Sequence, residues 1–153
     1  TVIKSGYSNS HMARGHEQEP IARDLYENKY RCFVDNGGFF HNGFTGCSPD
    51  GIVGNGIIEI KSVIASTHYK TLQSKSFDTA YKWQIIFNLK ETQKDWLDFI
   101  SFCNDFPIGN QLFVKRVHSS EFESEFKMID ERVNEFESLI NKIKNDINAN
   151  KNR

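Results

Sequence analysis

The sequence predicts an α/β or α+β fold in which a mixed β-sheet carries helices on both faces. Two segments, 17–29 and 122–147, repeat apolar residues at the spacing of a helix. Several shorter segments are rich in β-branched and aromatic residues, and glycine or asparagine lies between them, which is typical of strands and tight turns. Because both patterns occur along one chain, we expect strands and helices to pack in layers around a common core.

The first part of the chain is expected to hold one helix and several strands. Residues 1–12 are polar and are expected to be irregular. Over 17–29, two pairs of apolar residues spaced four apart would face the core: Ile21 with Leu25, and Ala22 with Tyr26. Pro20 must lie in the first turn or mark a kink, because proline lacks the N–H that an interior position uses. Extended structure is predicted at 31–35, 39–41, 44–47, 51–53 and 57–62, with a turn at 36–38 between the first two.

The remaining elements follow from caps and apolar runs. Ser66 or Thr67 is expected to cap a helix that ends near residue 76, and Asp78 to cap the next, which ends near residue 91. Segments 96–102 and 112–117 are apolar enough for two further strands. The end of the chain predicts a long amphipathic helix packed on the sheet, with an oligomer contact as the alternative. Its apolar row is Phe122, Phe126, Ile129, Val133, Phe136, Ile140, Ile143 and Ile147.

Length and composition indicate one domain over 1–153, with a real core. A content of 38% hydrophobic and 13% aromatic residues excludes a globally disordered chain. No apolar run approaches the roughly 18 residues of a membrane span, and no signal-peptide pattern occurs. The three cysteines lack metal-ligand spacing, which favours reduced thiols in a cytoplasmic protein. Since the first residue is threonine, we expect the chain to begin inside a longer gene product.

The charge is balanced overall but uneven along the chain. The formal net charge is −1, which does not by itself indicate a nucleic-acid binder. Between residues 60 and 94, however, six lysines stand against two acidic residues. A locally basic stretch in a neutral chain is typical of an enzyme that holds phosphate on one face. Ordinary solvated helix faces are the alternative explanation.

Three charged residues form the strongest chemical signal. Asp50 follows Ser48 and Pro49, Glu59 comes nine residues later, and Lys61 two residues after that. The sequence Gly-Asn-Gly at 54–56 predicts a tight hairpin turn between them, because glycine and asparagine tolerate positive φ. Side chains alternate along a strand, so Glu59 and Lys61 would share a face near Asp50. Carboxylates are the oxygen ligands that Mg²⁺ or Mn²⁺ prefers, and a lysine offsets developing negative charge.

Four blocks, in this order, resemble the lambda exonuclease/YqaJ-like branch of the PD-(D/E)xK nuclease superfamily. The blocks are residues 13–27 around Glu19, 47–61 with Asp50, Glu59 and Lys61, 81–96 around Gln84, and the terminal helix. Each block alone is weak, whereas their joint order and spacing are specific. The resemblance covers roughly residues 12–147 and implies a restriction-endonuclease-like core, a mixed central sheet flanked by helices.

The resemblance implies a role for each matching residue. Asp50 would be the central metal ligand, Glu59 a second ligand, and the carbonyl of Ile60 a third. Lys61 would orient or help to deprotonate the attacking water. The remaining implied roles are a second-metal contact for Glu19, positioning of the nucleophile or a phosphate oxygen for Gln84, and contact with a terminal 5′ phosphate for Ser48. Taken singly, these three residues could instead form a helix-surface ion pair with Arg23, a buried amide contact and a turn hydroxyl, respectively.

The implied activity is that of a Mg²⁺-dependent DNA exonuclease, with Mn²⁺ able to substitute. Such an enzyme degrades linear double-stranded DNA, 5′ to 3′, in phage-type recombination in the cytoplasm of a bacterial host. Family analogy adds a homotrimer and a single-strand annealing recombinase as partner. No membrane association is expected, because the sequence has no apolar run long enough to span a membrane. The chain departs from the family pattern in two places. An upstream segment near the 5′-phosphate pocket does not precede Thr1, and Ser62 and Val63 replace the common Cys-Pro.

Two other functions stay open from the sequence. An endonuclease on the same scaffold would fit a chain that has lost end recognition, and it would cut a closed circle. A non-catalytic DNA-binding module would fit the near-neutral charge, but the intact set of Asp50, Glu59 and Lys61 argues against it.

Overall fold

A computed structural model describes residues 9–151. Its elements, in chain order, are α1 (Ser10–Tyr30), β1 (Phe40–Asn42), β2 (Thr45–Cys47), β3 (Gly51–Val53), β4 (Gly56–Ser62), α2 (Ala65–Ser74), a 3₁₀ turn (Thr79–Tyr81), α3 (Lys82–Thr92), β5 (Trp96–Phe102), β6 (Leu112–His118), a second 3₁₀ turn (Ser119–Phe122) and α4 (Glu123–Lys151). The predicted mixed sheet is confirmed. Four strands pair in the order β3-β4-β5-β6, with β4 and β5 parallel and the other pairs antiparallel.

Helices cover both faces of this sheet, as predicted. On one face α1 packs Ala22 and Tyr26 against Ile58, Ile60 and Ile100. The other face is covered by α3 and the start of α4, and its buried residues are Ile57, Ile85, Leu89, Leu97, Phe99 and Val117. The connection from β4 to β5 contains α2 and α3, as a parallel pair requires a crossover.

Helix α1 is longer than predicted. Asn9 caps it by accepting the N–H of Met12 at 2.9 Å, so residues 10–12 are helical and their predicted irregularity is wrong. The same prediction for residues 1–8 lies outside the described part of the chain. Pro20 lies inside the helix rather than in its first turn. Ala22 and Tyr26 are buried as predicted, whereas Ile21 is 44% exposed because it lies outside the stripe that faces the sheet.

A buried network ties α1 to the centre of the sheet. The hydroxyl of Tyr26 donates to Asp98 on β5 at 2.6 Å. Arg116 on β6 donates to both oxygens of the same carboxylate at 2.8 Å, and its guanidinium stacks on Trp96. Asp98 is only 1% exposed, so these donors supply the partners that a buried charge requires.

The predicted strand at 31–35 is wrong. Only Asp35 makes an isolated bridge, to Ile52, and the N–H of Val34 donates instead to the side chain of Glu27 at 2.6 Å. The strand predicted at 39–41 exists as β1, but its partner is β2 and not the segment before residue 36. Gly43, with φ +62°, forms the turn of that hairpin, so the predicted hairpin turn at 36–38 is also wrong.

The later elements match the prediction closely, apart from one cap. The strand predicted at 96–102 coincides with β5, and β6 extends the other by one residue. Asp78 caps the 3₁₀ turn that leads into α3 by accepting the N–H of Ala80 at 2.8 Å. Neither Ser66 nor Thr67 caps α2, because the cap position falls on Ile64, which has no side-chain acceptor.

The long C-terminal helix exists, but it does not pack on the sheet along its whole length. Phe122 and Phe126 pack against the core below α3. Further along, Phe136, Ile143 and Ile147 are each about half exposed, so the predicted burial of this part of the apolar row is wrong. Helical periodicity shows which residues share a face and does not show what covers that face. Within residues 9–151, no helix combines the length and apolar character needed to cross a membrane.

Candidate active site

The hairpin of β3 and β4 positions two of the predicted site residues. Val53 pairs with Gly56, which leaves Gly54 and Asn55 as a two-residue turn, and Gly54 has φ +55°. Glu59 and Lys61 then project from the same face of β4, as predicted. The ammonium group of Lys61 donates to Oε1 of Glu59 at 2.7 Å.

Asp50 lies where β3 begins and is fixed to β4 by two hydrogen bonds. Its backbone N–H donates to the carbonyl of Ile58 at 3.1 Å, and its Oδ2 accepts the N–H of Ile60 at 2.6 Å. Paired antiparallel residues present N–H and C=O to the same side. The carbonyl of Ile60 therefore faces the edge that Asp50 occupies. That edge lies just beyond the pair that Gly51, the first residue of β3, makes with Ile58.

The segment before Asp50 is held by α1 and by a close backbone contact. Arg23 donates to the carbonyl of Asp50 at 2.5 Å and to Glu19 at 3.2 Å. Glu19 is thus linked to the site through Arg23. Gly37 leaves no room for a side chain, because an added Cβ would lie 1.8 Å from the carbonyl oxygen of Pro49. Both contacts fix the path of the backbone that presents Asp50.

Glu59 is a buried carboxylate with three donors. It is 4% exposed, and besides Lys61 it accepts from Gln84 at 2.8 Å and from Asn88 at 3.0 Å. Gln84 and Asn88 lie four apart on α3 and therefore share the helix face that meets β4. Hydrogen bonds to both oxygens supply the partners that a buried carboxylate requires, so Glu59 is held in one orientation.

The surroundings of Asp50 disfavour its negative charge. Burial, and then the neighbouring charge of Glu59, raises the pKa of Asp50 from its ordinary 3.8 to about 7. Glu19 contributes in the same direction, whereas the N–H of Ile60 and the charge of Lys61 lower this pKa. Three carboxylates therefore act on one region, and their mutual repulsion is the cost that a bound cation would relieve.

The donor set fits a hard divalent cation that keeps part of its water shell. Within residues 9–151, no three His, Cys, Asp or Glu side chains lie close enough to hold a metal ion by themselves. Asp50 and Glu59 offer two carboxylates, and the carbonyl of Ile60 faces the same edge. Mg²⁺ commonly uses one or two protein carboxylates and completes its octahedron with water and substrate phosphate. A zinc-type closed site would need four protein ligands and does not fit.

Ser48 lies apart from this network. Its hydroxyl donates to the carbonyl of Gly38 at 2.7 Å, and the residue is exposed. Contact with an anion would require the hydroxyl to rotate away from Gly38, since a serine has only one hydrogen to donate. The predicted phosphate contact of Ser48 stays a prediction.

Sequence reasoning missed three contributors to the site. Asn88 could have been found from its spacing of four from Gln84. Arg23 was recognised only as a partner of Glu19, and nothing local indicates its bond to the carbonyl of Asp50. The ring of Tyr81 lies 5.4 Å from the Lys61 ammonium nitrogen, a cation–π contact that depends on how α3 packs against β4.

Comparison with known proteins identifies the family. Residues 1–95 match the YqaJ-like viral recombinase domain. The chain belongs to this family. Among solved structures, this YqaJ-like chain is similar to an alkaline exonuclease, LHK-Exo, from Laribacter hongkongensis, with 32% sequence identity and a TM-score of 0.70. The match covers 89% of this chain and 75% of that chain, and LHK-Exo in complex with dAMP matches equally well.

A more distant structure supports the same fold. A phage-related exonuclease from Haemophilus somnus 129PT is 15% identical, with a TM-score of 0.66, over 80% of this chain and 68% of that chain. At this identity the likeness shows the fold alone. No curated protein matches the chain. The family and fold class predicted from the YqaJ-like sequence blocks are therefore confirmed.

Proposed function

We propose that this chain is a metal-dependent DNA exonuclease that hydrolyses phosphodiester bonds of linear double-stranded DNA in phage-type recombination. The observation that carries the proposal is the contact between Asp50, the β4 backbone, Glu59 and Lys61 at the end of one hairpin. Its family and its likeness to LHK-Exo, which is an alkaline exonuclease, support the reaction class. The complex of LHK-Exo with dAMP supports a nucleotide ligand.

Asp50, Glu59 and the Ile60 carbonyl would hold Mg²⁺, or Mn²⁺ in its place, and Glu19 would act on a second metal through water. The ion, when bound, polarises the phosphodiester and favours deprotonation of the attacking water. Burial of Glu59 under three donors keeps this ligand fixed before the ion arrives. Asp50 changes its protonation near neutral pH and is the ligand whose charge the ion compensates.

Lys61 would stabilise the charge that develops on the phosphate. Its ammonium group has three N–H donors and uses one for Glu59, which leaves two for a water and a phosphate oxygen. Such a donor, fixed before reaction, stabilises the transition state more than the ground state. Gln84 would orient the water or a phosphate oxygen from the same side, since its amide already reaches Glu59. Ser48 would contact the 5′ phosphate of the end.

The test compares two substrates in the presence of Mg²⁺. One is a linear duplex with 5′-phosphorylated ends, labelled on either the 5′ or the 3′ nucleotide, and the other is a covalently closed circle. We expect mononucleotides from the linear duplex only, with the 5′ label released first for 5′-to-3′ digestion. EDTA and Asp50→Ala should abolish release, whereas Asp24→Ala, an exposed position on α1, should not.

Each outcome assigns a different function. Cutting of the circle would replace the exonuclease with an endonuclease on the same scaffold. Binding of the duplex without hydrolysis, in Mg²⁺ and in Mn²⁺, would indicate a non-catalytic DNA-binding module. The homotrimer and the annealing recombinase stay predictions from the family. Sedimentation equilibrium of the purified chain tests the first of these two, and the half-exposed apolar row of α4 is the surface available to a second copy.

A further inference from the structure

A polar cavity shares one residue, Tyr81, with the surroundings of Lys61. It has a volume of about 350 Å³. Its wall is formed by the first turns of α1, the end of β4 and the start of α2, and it includes His11, Arg14, Ser62, Thr67 and Tyr81. Tyr81 belongs to both sites, because its ring also lies 5.4 Å from the Lys61 ammonium nitrogen. Ser62 directly follows Lys61 on β4.

The charge of this cavity is positive. Arg14 contributes a guanidinium and His11 an imidazole, and no Asp or Glu lines the wall. Within the described residues 9–151, neither Arg14 nor His11 has a carboxylate within 4.0 Å. A guanidinium that is only partly exposed and has no anion beside it is suited to a planar, two-point contact with phosphate.

Ser62 provides an independent indication of a ligand. Its hydroxyl oxygen is buried and, within the part of the chain that the structure describes, has no hydrogen-bond partner. A buried hydroxyl without a partner is less favourable than a bonded one. An anion in the cavity, together with a rotation of Ser62 about χ1, would supply the missing partner.

The start of α2 adds donors to the same wall. Its cap residue is Ile64, whose side chain has no hydrogen-bond acceptor. The first turn therefore has no side-chain cap, although the N–H of Thr67 donates to the carbonyl of Ile64 at 3.1 Å, and the helix dipole makes this end positive. A phosphate commonly occupies such a position. Together with the basic side chains and the Ser62 hydroxyl, this end of α2 gives the cavity the chemistry of a phosphate site.

We propose that this cavity binds a phosphate of the DNA strand adjacent to the phosphate that is cleaved. The inference rests on the proposed function, and Tyr81 connects the two sites, since it lines the cavity and its ring lies 5.4 Å from the Lys61 ammonium nitrogen. A volume of about 350 Å³ accommodates a phosphate with its sugar rather than an ion alone. Arg14 holds the phosphate, Ser62 and Thr67 donate to its free oxygens, and the strand is thereby aligned across Lys61.

The experiment measures binding without hydrolysis. A fluorescein-labelled, 5′-phosphorylated linear duplex is titrated with the full chain in EDTA, by anisotropy, over a series of NaCl concentrations. The slope of log K against log[NaCl] is negative, and each lost phosphate contact lowers its magnitude by about 0.7–0.9. We expect Arg14→Gln to lower the magnitude of the slope by this amount and to weaken binding about tenfold at low salt. Arg31→Gln is the matched control, because it removes the same charge at the opposite end of α1.

Two further variants separate phosphate binding from other causes. Arg14→Lys keeps the charge and should keep the slope. If Arg14 stacked on a base instead of holding a phosphate, Arg14→Gln would weaken binding without changing the slope. Ser62→Ala should weaken binding about threefold to tenfold with an unchanged slope and a melting temperature no lower than that of the wild type, because the deleted hydroxyl has no partner in the free protein. Equal slopes for Arg14→Gln and Arg31→Gln, or no binding of DNA by the wild-type chain, would overturn the proposal.

These measurements distinguish an error in the phosphate-binding proposal for the cavity from an error in the proposed exonuclease function. A chain that binds DNA but hydrolyses none in Mg²⁺ would refute the exonuclease, while the difference in slope between the two arginine variants would still decide on the cavity. If the wild type digests linear DNA and Arg14→Gln has the same rate and slope, the exonuclease proposal stands and the phosphate site in the cavity is refuted.

Discussion

Replacing Asp50 with asparagine should make the metal-free protein more stable, although it removes a residue of the candidate active site. The pKa of Asp50 is raised from 3.8 to about 7 by burial and by Glu59. Between these values the folded state holds a proton that the unfolded state has released. The free energy of unfolding of the wild type therefore falls as the pH rises from about 4 to about 7. Asparagine does not ionise and keeps an oxygen that can accept the N–H of Ile60.

The size of the effect follows from the same shift. A pKa of about 7 in the folded protein, against 3.8 in the unfolded chain, corresponds to about 4 kcal/mol at pH 8, since a tenfold change in proton affinity is worth about 1.4 kcal/mol. Water reaches this partly open site, so we expect about 2–4 kcal/mol. For a chain of this length, each kcal/mol raises the melting temperature by about 2–4 °C. Asp50→Asn should thus melt roughly 5–10 °C above the wild type at pH 8 in EDTA.

The assay is urea or thermal unfolding in EDTA at pH 5, 6, 7 and 8. The difference between variant and wild type should grow with pH and level off above about pH 7. Asp24→Asn, at an exposed position, serves as the control and should give no such trend. A variant that is less stable at pH 8, or a difference that is flat with pH, would refute the charge repulsion inferred for this site.

Three more substitutions test the surroundings of the site and of the core. Lys61→Ala should keep metal affinity and lower turnover by about 10² or more, as single-turnover kinetics and metal titration would show. Asn88→Ala removes one donor from Glu59 and should weaken metal binding about tenfold or more, measured by calorimetry. Arg116→Met leaves Asp98 buried without its main partner and should cost about 2–4 kcal/mol in urea unfolding.

Matched changes on α4 provide the controls. Arg132 is 82% exposed and, among the residues that the structure describes, pairs only with Glu135 three residues away, so Arg132→Met should cost no more than about 0.5 kcal/mol. Asn141→Ala, at an exposed position, should leave metal binding unchanged. If Arg132→Met cost as much as Arg116→Met, burial of Asp98 would not explain the loss of stability in Arg116→Met. Lost metal affinity in Lys61→Ala would mean that its role is misassigned.

Local features made much of the site predictable from sequence. Asp50, Glu59 and Lys61 lie within twelve residues, and a two-residue turn with alternating side chains fixes their geometry. Contacts that span the chain were not predictable in this way. The bond from Arg23 to the Asp50 carbonyl joins residues 27 apart, and the bond from Asn88 to Glu59 joins residues 29 apart.

The errors in the fold have the same origin. The segment at 31–35 has the composition of a strand, but the Glu27 side chain takes the N–H of Val34. Of two glycine-containing turns near β1, the one at Gly43 forms the hairpin, because Thr45–Cys47 is the segment that pairs with β1. Local preference was compatible with either turn, and tertiary pairing decided between them.

The unequal surroundings of the two carboxylates predict how metal binding depends on pH. Glu59 is fixed by three donors, whereas burial and the charge of Glu59 raise the pKa of Asp50 to about 7. A divalent cation needs Asp50 ionised, so its binding must displace that proton. Mg²⁺ affinity should therefore rise about tenfold per pH unit below pH 7 and level off above it. Calorimetry at pH 6, in buffers of different ionisation enthalpy, should detect release of about one proton per ion bound. Release of no proton would mean either that Asp50 is already ionised or that Asp50 does not bind the ion. Asp50→Asn separates these cases, because the substitution leaves the affinity for Mg²⁺ unchanged only if Asp50 does not bind the ion.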